Sequence, residues 1–259
     1  MSRTPARRIL LVVALVLSGL ALHASPAAAA PLAYTVDLSD SATLNHLMSL
    51  DLATGAATDI GNTGLRDVEG LSLDCAGVLW GVNRGVGSGN LVRINTTTGA
   101  ATVVGPLGVE GADAGLTFGT DGRLWMAEVI TGNFFRVNTT TGAATVVGPL
   151  GAGIEITALA TAPNGTIFGF DRRADRLVTI NTTTGAATVL GTTGLALNLG
   201  GLDFDASGTL WGVFGRGPRI TARFNTSTGA GTQVASTSPR EFVSLAMANI
   251  CAVPPTLNT

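Results

Sequence analysis

Short runs of alternating apolar and polar residues, each closed by Gly or Asn, fill the chain from residue 33 onward. Residues 78–83 and 91–95 are two such runs. A period of two is typical of β-strands that bury one face, and Gly or Asn at the end of each run is typical of a turn. No stretch beyond the first thirty residues has an apolar period of 3.6 residues, so the pattern predicts an all-β fold.

These runs recur with a fixed period. Residues 95–108 are repeated without change at 138–151, and less closely from Asp51, Asn181 and Asn225. The glycine of the Thr-Gly pair stands at positions 55, 99, 142, 185 and 229, so the spacings are 44, 43, 43 and 44 residues. One unit contains four short strands, and a unit of this size and content is a propeller blade. Five units predict a five-bladed β-propeller with four antiparallel strands in each blade.

One repeat unit is divided between the two ends of the sequence. The second, third and fourth strands of one unit stand at residues 33–37, 46–51 and 57–61, whereas its first strand is the isolated run at 242–248. The two ends of the chain must therefore share one blade. Pairing them closes the ring and covers sheet edges that would otherwise be open.

Two positions of the unit predict the packing of the ring. The first strand carries a small residue where the five blades converge on the axis and little space remains. These residues are Gly70, Gly115, Ala158, Gly201 and Ser244. The second strand carries a large aromatic residue, which we expect to pack between neighbouring blades. These residues are Tyr34, Trp80, Trp125, Phe168 and Trp211.

The first thirty residues have the pattern of a secretory signal. Three arginines precede an apolar run at residues 9–22, and small residues follow at 24–30. The apolar run is shorter than the roughly 20 residues that a spanning helix needs. We therefore expect a signal peptide at 1–30, the propeller at 31–252 and a short tail at 253–259. This predicts an exported monomer, secreted or retained in the periplasm or cell envelope, without membrane insertion.

The charge of the chain narrows the classes of possible partner. The chain has no lysine, and removal of the three leader arginines leaves 12 arginines against 17 carboxylates, a net charge near −5. This balance argues against nucleic acid as a partner, because nucleic acid requires clustered cations.

The two cysteines suggest a disulfide in an exported protein. Aligned on the repeat, Cys251 takes the place of Gly77, two residues from Cys75, so this bond would join the shared blade to its neighbour.

The unit also resembles a known group. The pattern Gly-Leu-x-x-Asp-x-x-Gly-x-Leu-Trp-Gly-Val, followed by Leu-Val-x-Ile-Asn-x-x-Thr-Gly-Ala-Ala-Thr-x-Val-Gly, is similar to secreted bacterial β-propellers with YVTN-like and NHL-like blades, including domains of unknown function. The resemblance implies that the first strand of each blade is innermost and the fourth outermost. Such propellers usually have six or seven blades, and five is a departure.

In this arrangement the loops and turns between the strands lie on two opposite faces. The loops from the fourth strand to the next first strand, and from the second to the third, form what we term the loop face. The other connections form the turn face. Two rings of polar residues are expected at the mouth of the channel on the loop face. The ring before the first strands comprises Asp67, Asp113, Glu155, Asn198 and Glu241. The ring at the ends of the second strands comprises Asp37, Asn83, Glu128 and Asp171.

The chemistry of these rings leaves several hypotheses open. Oxygen donors of this kind suit Ca²⁺, for which Asp67, Glu155, Asn198 and Glu241 are the candidate ligands, or hydrogen bonding to a sugar. Alternatively, these residues only solvate loop ends, or pair with arginines of the same loops to give a salt-bridged surface. The arginines concerned are Arg84, Arg172, Arg173, Arg176, Arg216 and Arg219.

Residue content favours binding over catalysis. The mature chain has a single histidine, His46, a single tyrosine and no Gly-x-Ser-x-Gly elbow, so a catalytic triad and a histidine metal site are not indicated. By resemblance to calcium lactonases, a cation in the channel that activates water is the remaining enzymatic hypothesis. We expect a non-catalytic binding module that recognises a protein or glycan through its loop face. A structural role in the cell envelope is the third possibility.

The Thr-rich turns of the repeat carry N-x-Thr or N-x-Ser sequences, but they are interpreted as turn residues rather than as glycosylation sites. A fivefold array of such turns could also bind a repetitive ligand. The residues concerned are Asn95, Asn138, Asn181 and Asn225, and Asn164 carries a further such sequence.

Overall fold

Twenty strands form five four-stranded antiparallel sheets in the computed structural model, which describes residues 32–38 and 44–247. The sheets are the blades of a five-bladed β-propeller, as the repeat predicts. No helix occurs among the described residues, and none there is long and apolar enough to cross a membrane.

The blades are numbered in chain order. Blade one consists of β1 (Leu32–Asp37), β2 (His46–Asp51), β3 (Ala57–Asn62) and β20 (Ala246–Met247). Blade two consists of β4 (Val68–Leu73), β5 (Leu79–Asn83), β6 (Asn90–Ile94) and β7 (Ala101–Pro106). Blade three consists of β8 (Gly115–Phe118), β9 (Leu124–Glu128), β10 (Asn133–Val137) and β11 (Ala144–Pro149). Blade four consists of β12 (Ile156–Thr161), β13 (Ile167–Asp171), β14 (Arg176–Ile180) and β15 (Ala187–Thr192). Blade five consists of β16 (Gly200–Phe204), β17 (Leu210–Phe214), β18 (Ile220–Phe224) and β19 (Gly231–Ser236).

The ends of the chain share blade one, which confirms the predicted closure. Its sheet has the order β20-β1-β2-β3, with Ala33 opposite Met247 and Tyr34 opposite Ala246. The first strand of this blade is shorter than the predicted run at 242–248. Pairing consists of an isolated bridge between Asp37 and Phe242 and the two-residue strand β20.

The innermost strands approach so closely at the axis that two of the glycines there leave no room for a side chain. A Cβ on Gly115 would lie 2.8 Å from backbone atoms of blade four, and one on Gly201 would lie 2.1 Å from the backbone nitrogen of Leu245. The cavity that remains between the five inner strands measures about 10 Å³. Since that is room for about one water molecule, the axis is packed rather than open.

The aromatic residues of the second strands pack between blades, as expected. Trp80 belongs to a buried cluster with Leu116 and Met126 of blade three, and Trp211 packs in a cluster with residues of blade one. The indole nitrogen of Trp80 donates to Asp74 at 2.9 Å, and that of Trp211 donates to Asp205 at 2.8 Å. The aspartate of the turn thus anchors the ring that fills the space between the blades.

The outermost strands explain the near-identical segment of the repeat. A Cβ on Gly105 at the end of β7 would lie 2.1 Å from the carbonyl oxygen of Thr141, in the Thr-Gly turn of blade three. The same contact recurs where Gly148 meets Thr184 and Gly191 meets Thr228. In blades one to four the outer strand therefore rests on the turn of the following blade through a glycine, whereas blade five has Ala235 at the corresponding position.

Several sequence-based expectations fall outside the described residues. The signal peptide at 1–30, the tail at 253–259 and Cys251 all lie there. The domain boundaries and the pairing of Cys75 with Cys251 therefore stay predictions.

Candidate functional site

The loop face brings both predicted rings of polar residues together. Asp37, Asn83, Glu128 and Asp171 are the last residues of β1, β5, β9 and β13. The other ring directly precedes the inner strands and consists of Asp67, Asp113, Glu155, Asn198 and Glu241. Asp67 and Asn198 are exposed, whereas the carboxylates of the remaining residues are at least partly buried.

Arg172 connects two blades at the centre of this face. Its guanidinium forms an ion pair with Asp113 and a second with Glu155, whose Oε2 lies 3.0 Å from Nε. Burial by itself would lower the pKa of Arg172, but the hydrogen bond to Glu155 and the charge of Asp113 raise that pKa above its ordinary value. The arginine therefore stays charged and neutralises both carboxylates.

The two fully buried carboxylates of the second-strand ring support the backbone of the loops. Asp171 accepts the Nε–H of Arg176 at 2.7 Å and the backbone N–H groups of Glu155 and Arg173. Glu128 Oε1 accepts the N–H of Thr131 at 3.0 Å, whereas its Oε2 is buried without a hydrogen-bond partner among the described residues. These positions act primarily as braces for the loops.

The carboxylates beside the closure of the ring also form ion pairs with arginines. Glu241 accepts from Arg219 at 2.8 Å, and Asp37 accepts from Arg240 at 2.5 Å. Asn83 is also used internally, since its Nδ2 donates to the carbonyl of Arg66. The geometry of the candidate residues thus corresponds to the salt-bridged surface that the sequence left open as one alternative.

One carboxyl group on this face was not identified from the sequence. Glu69 on β4 is only 5% exposed, and its Oε2 accepts the N–H of Ala114 at 3.2 Å. Burial, followed by the charge of Asp113, raises the pKa of Glu69 to about 8, so the group is largely neutral at pH 7. A sequence signal exists: Glu69 is the only carboxylate at a position that holds Ala114, Thr157, Gly200 and Val243 in the other inner strands.

The charges that reach solvent on the loop face are mainly positive. Among its described residues only one carboxylate, Asp67, is exposed. Five arginines are exposed, namely Arg66, Arg84, Arg173, Arg216 and Arg240. The negative potential expected from two carboxylate rings is thus offset by arginines, and guanidinium groups face a potential partner.

The calcium hypothesis gains no geometric support. Within residues 32–38 and 44–247, no group of three or more His, Cys, Asp or Glu residues is arranged to hold a metal ion. Two of the four candidate ligands, Glu155 and Glu241, hold arginines. Calcium binding by this face stays a prediction.

The remaining candidates for chemistry lie away from the loop-face mouth. His46 begins β2, and its Nδ1 lies 2.9 Å from Asp59 of β3, where both side chains are about half exposed. On the turn face, Asn95 Oδ1 accepts the N–H groups of Thr97 and Thr98. Asn138, Asn181 and Asn225 make the same two bonds, so these side chains serve the turns in which they stand.

Comparison with known proteins supports the fold and leaves the family open. No protein-family model and no curated protein matches the sequence. Solved structures do match. Selenomethionine-substituted virginiamycin B lyase from Staphylococcus aureus is 18% identical over 85% of this chain and 76% of its own, with a TM-score of 0.52.

Two further structures match the same share of the chain. A structural genomics protein of unknown function from Bacteroides thetaiotaomicron is 14% identical, with 65% of its own chain covered and a TM-score of 0.54. A chain of a nidogen/laminin complex is 10% identical, with 98% covered and a TM-score of 0.56. Identities this low show a shared propeller fold, and function has to be argued from the site.

Proposed function

We propose that this chain is a non-catalytic binding propeller that recognises a protein or glycan through its loop face. The two faces differ in how similar their connections are from blade to blade. Four of the turns between third and fourth strands share one hydrogen-bond pattern around an asparagine, whereas the loops between second and third strands differ in length, charge and apolar content. Binding residues in repeat folds concentrate on loops held by a rigid scaffold.

The exposed side chains of the loop face fit recognition. Val86 is fully exposed between Gly85 and Gly87, and Ile130 is 55% exposed at the tip of the corresponding loop of blade three. Exposed arginines accompany them at Arg84 and Arg173. Exposed apolar groups beside guanidinium groups are typical of protein-binding surfaces, in which arginine is enriched.

The state of the carboxylates favours binding over hydrolysis. A carboxylate that holds a catalytic cation or accepts a proton has to be available to the substrate. Asp113, Glu155 and Glu241 instead hold arginines, and Asp171 supports backbone N–H groups. These groups rigidify the loops, which reduces the entropy lost when a partner binds.

The predicted signal peptide supports a role outside the cytoplasm. A basic segment, an apolar run and small residues at 1–30 are typical of an export signal, so the partner is expected among secreted or envelope proteins and glycans. The predicted disulfide is compatible with such a compartment.

Site-specific photo-crosslinking tests the proposal. A photoreactive phenylalanine analogue is introduced singly at Ser88, Thr131 or Arg216 on the loop face. Matched positions on the turn face are Thr97, Thr140 and Ser227. The mature protein is then irradiated with exported proteins of the encoding organism, and a glycan array is probed in parallel.

Discrete adducts from the loop-face positions, or glycan binding that loop-face substitutions abolish, would support the proposal. Adducts formed equally from both faces, or a protein that captures no partner and binds no glycan, would contradict it.

A further inference from the structure

We propose, building on the proposed function, that the partner is a protein that presents an acidic segment with apolar side chains. Its acidic residues pair with exposed arginines of blades two, four and five, and its apolar residues cover the loop tips of blades two and three. The surface concerned comprises Arg84, Arg173, Arg216, Val86 and Ile130.

The sorting of charges on the loop face provides the electrostatic argument. Four carboxylates of this face form ion pairs with Arg172, Arg176 and Arg219, whereas Asp67 is exposed. The four are Asp113, Glu155, Asp171 and Glu241. Neither Arg84 nor Arg216 makes an ion pair among the described residues, and Arg173 makes only a 3.4 Å contact with Glu155. Arg173 retains 63% of its side-chain exposure in that contact. These guanidinium groups can therefore pair with a carboxylate without first breaking a strong bond.

A groove beside Arg216 offers further hydrogen-bond donors. It measures about 550 Å³, is open to solvent, and is lined by Arg219, Ser236 and Ser238 as well as Arg216. Glu241 holds Arg219 in place at 2.8 Å. An approaching carboxylate can accept from the Arg216 guanidinium and from serine hydroxyl groups in this groove, a donor set that suits an acidic side chain.

The apolar residues of this surface lie at the tips of loops. Of the large apolar side chains exposed among the described residues, Val86 and Ile130 stand on the second-to-third loops of two consecutive blades. Leu44 stands in the corresponding region of blade one, whereas Val103, Val146 and Val189 lie on the outer strands. Apolar tips flanked by arginines match a partner whose sequence mixes acidic and apolar residues.

Overall charge favours a protein segment over a nucleic acid or an anionic membrane. Without its leader the chain has 12 arginines, no lysine and 17 carboxylates, so its long-range field repels a polyanion. Nucleic acid and anionic lipid are bound by dense clusters of cations. A short acidic segment, in contrast, interacts with local guanidinium groups within about one Debye length of roughly 8 Å.

Fluorescence anisotropy with defined peptides tests this inference on the mature protein. The probe is a labelled peptide with alternating glutamates and leucines. One control peptide has lysine in place of glutamate, and another has serine in place of leucine. We expect the acidic apolar peptide to bind, the lysine peptide not to bind, and the serine peptide to bind about tenfold more weakly, since it lacks apolar burial.

Variants locate the binding on the surface. Arg173→Glu combined with Arg216→Glu should weaken binding of the acidic apolar peptide at least about tenfold, because like charges then face each other. The matched control, Arg123→Glu combined with Arg136→Glu, changes two exposed arginines away from the loop face and should leave the affinity within about twofold. Val86→Ser with Ile130→Ser should weaken binding with an unchanged salt dependence.

The alternative outcomes are decisive. No binding of the acidic apolar peptide, equal loss in both double arginine variants, or comparable binding of duplex DNA or phosphatidylserine vesicles would overturn the inference. If that happens while crosslinks still form only from the loop face, the proposed function stands and only the acidic partner is wrong.

Discussion

The Oδ2 atom of Asp203 on β16 accepts the backbone N–H of Met247 on β20 at 2.7 Å, across the point where the ring closes. Ser72 makes the equivalent bond between blades two and three, where its hydroxyl accepts the N–H of Phe118 at 3.1 Å. At the closure, a carboxylate that is 3% exposed replaces the hydroxyl group. Hydrogen bonds to charged groups are roughly twice as strong as neutral ones. This bond therefore secures a strand of only two residues.

Asp203→Ala should lower the free energy of unfolding by about 2–3 kcal/mol, because it removes the acceptor of the Met247 N–H and leaves that group buried without one. Urea unfolding measures this, and hydrogen exchange should show lower protection of the Met247 amide. The control is Asp121→Ala, which removes an exposed ion pair with Arg123 and should cost less than about 0.5 kcal/mol. Equal stability of the two variants would contradict the role assigned to Asp203.

The neutral state of Glu69 predicts a pH-dependent stability. Its pKa is about 8 in the folded chain and near 4.5 when unfolded, so between these values the folded state holds one more proton than the unfolded state. This contribution to stability is complete below pH 4.5, falls by at most about 1.4 kcal/mol per pH unit as pH rises, and levels off above pH 8.

Glu69→Gln removes the titration and retains an acceptor for the Ala114 N–H. Urea midpoints at a series of pH values from 5 to 8.5 should therefore show the wild type losing stability relative to this variant as pH rises. Midpoints that run parallel across the range would rule out a raised pKa at Glu69.

The contact between outer strands and turns predicts a requirement for glycine in blades one to four, whereas blade five has Ala235 at the corresponding position. An added methyl group at position 105 would lie 2.1 Å from the Thr141 carbonyl oxygen, so Gly105→Ala should lose about 3 kcal/mol as blades two and three are forced apart. Gly122→Ala adds a methyl group in open space at a φ of +75° and should cost about 1 kcal/mol. Differential scanning calorimetry distinguishes the two, and an equal loss of stability would show that the blades do not interlock at this glycine.

The fold was largely predictable from the sequence, because the repeat fixes the number of units and each unit has a clear period of two. The shared blade followed from the frame of the repeat. The break in the first strand of this blade at residues 243–245 did not, since these residues pass the axis between the bridge of Phe242 to Asp37 and the bond of Met247 to Asp203.

The residues of the candidate site were predictable from the sequence, whereas their ion pairs and their exposure were less so. Sequence placed the carboxylates at one face, but rotamers and distant contacts decide that Arg172 joins Asp113 to Glu155. Glu69 was missed because the charge of Asp113 and the hydrogen bond from Ala114 come from residues 44 and 45 positions later, next to blade three. Which charges point outward depends on the packing of the loops, and local sequence does not encode that directly.

The predicted disulfide is testable on the mature protein. A Cys75–Cys251 bond closes most of the chain into one loop, and Cys75→Ser with Cys251→Ser should therefore lower stability by about 2–4 kcal/mol. Mass spectrometry of the native protein after alkylation should detect no modified thiol. Alkylation of both cysteines without reductant would exclude the bond.

Calcium provides a separate test of the site. Because arginines hold Glu155 and Glu241, we expect millimolar Ca²⁺ or a chelator to shift the thermal midpoint by less than about 1 °C. A stabilisation of several degrees that Glu155→Gln abolishes would support the calcium hypothesis instead, and with it a hydrolytic role for the channel mouth.

We infer that the loop face binds the partner and that the turn face contributes the contacts that hold the ring together. Hydrogen exchange followed by mass spectrometry, on the free protein and on the protein saturated with its crosslinked partner or with the acidic peptide, tests it most directly. We expect new protection at residues 84–89, 129–132, 172–175 and 215–219, with no change at the Thr-rich turns. Protection confined to residues 95–100, 138–143 and 181–186 would contradict it and place binding on the turn face.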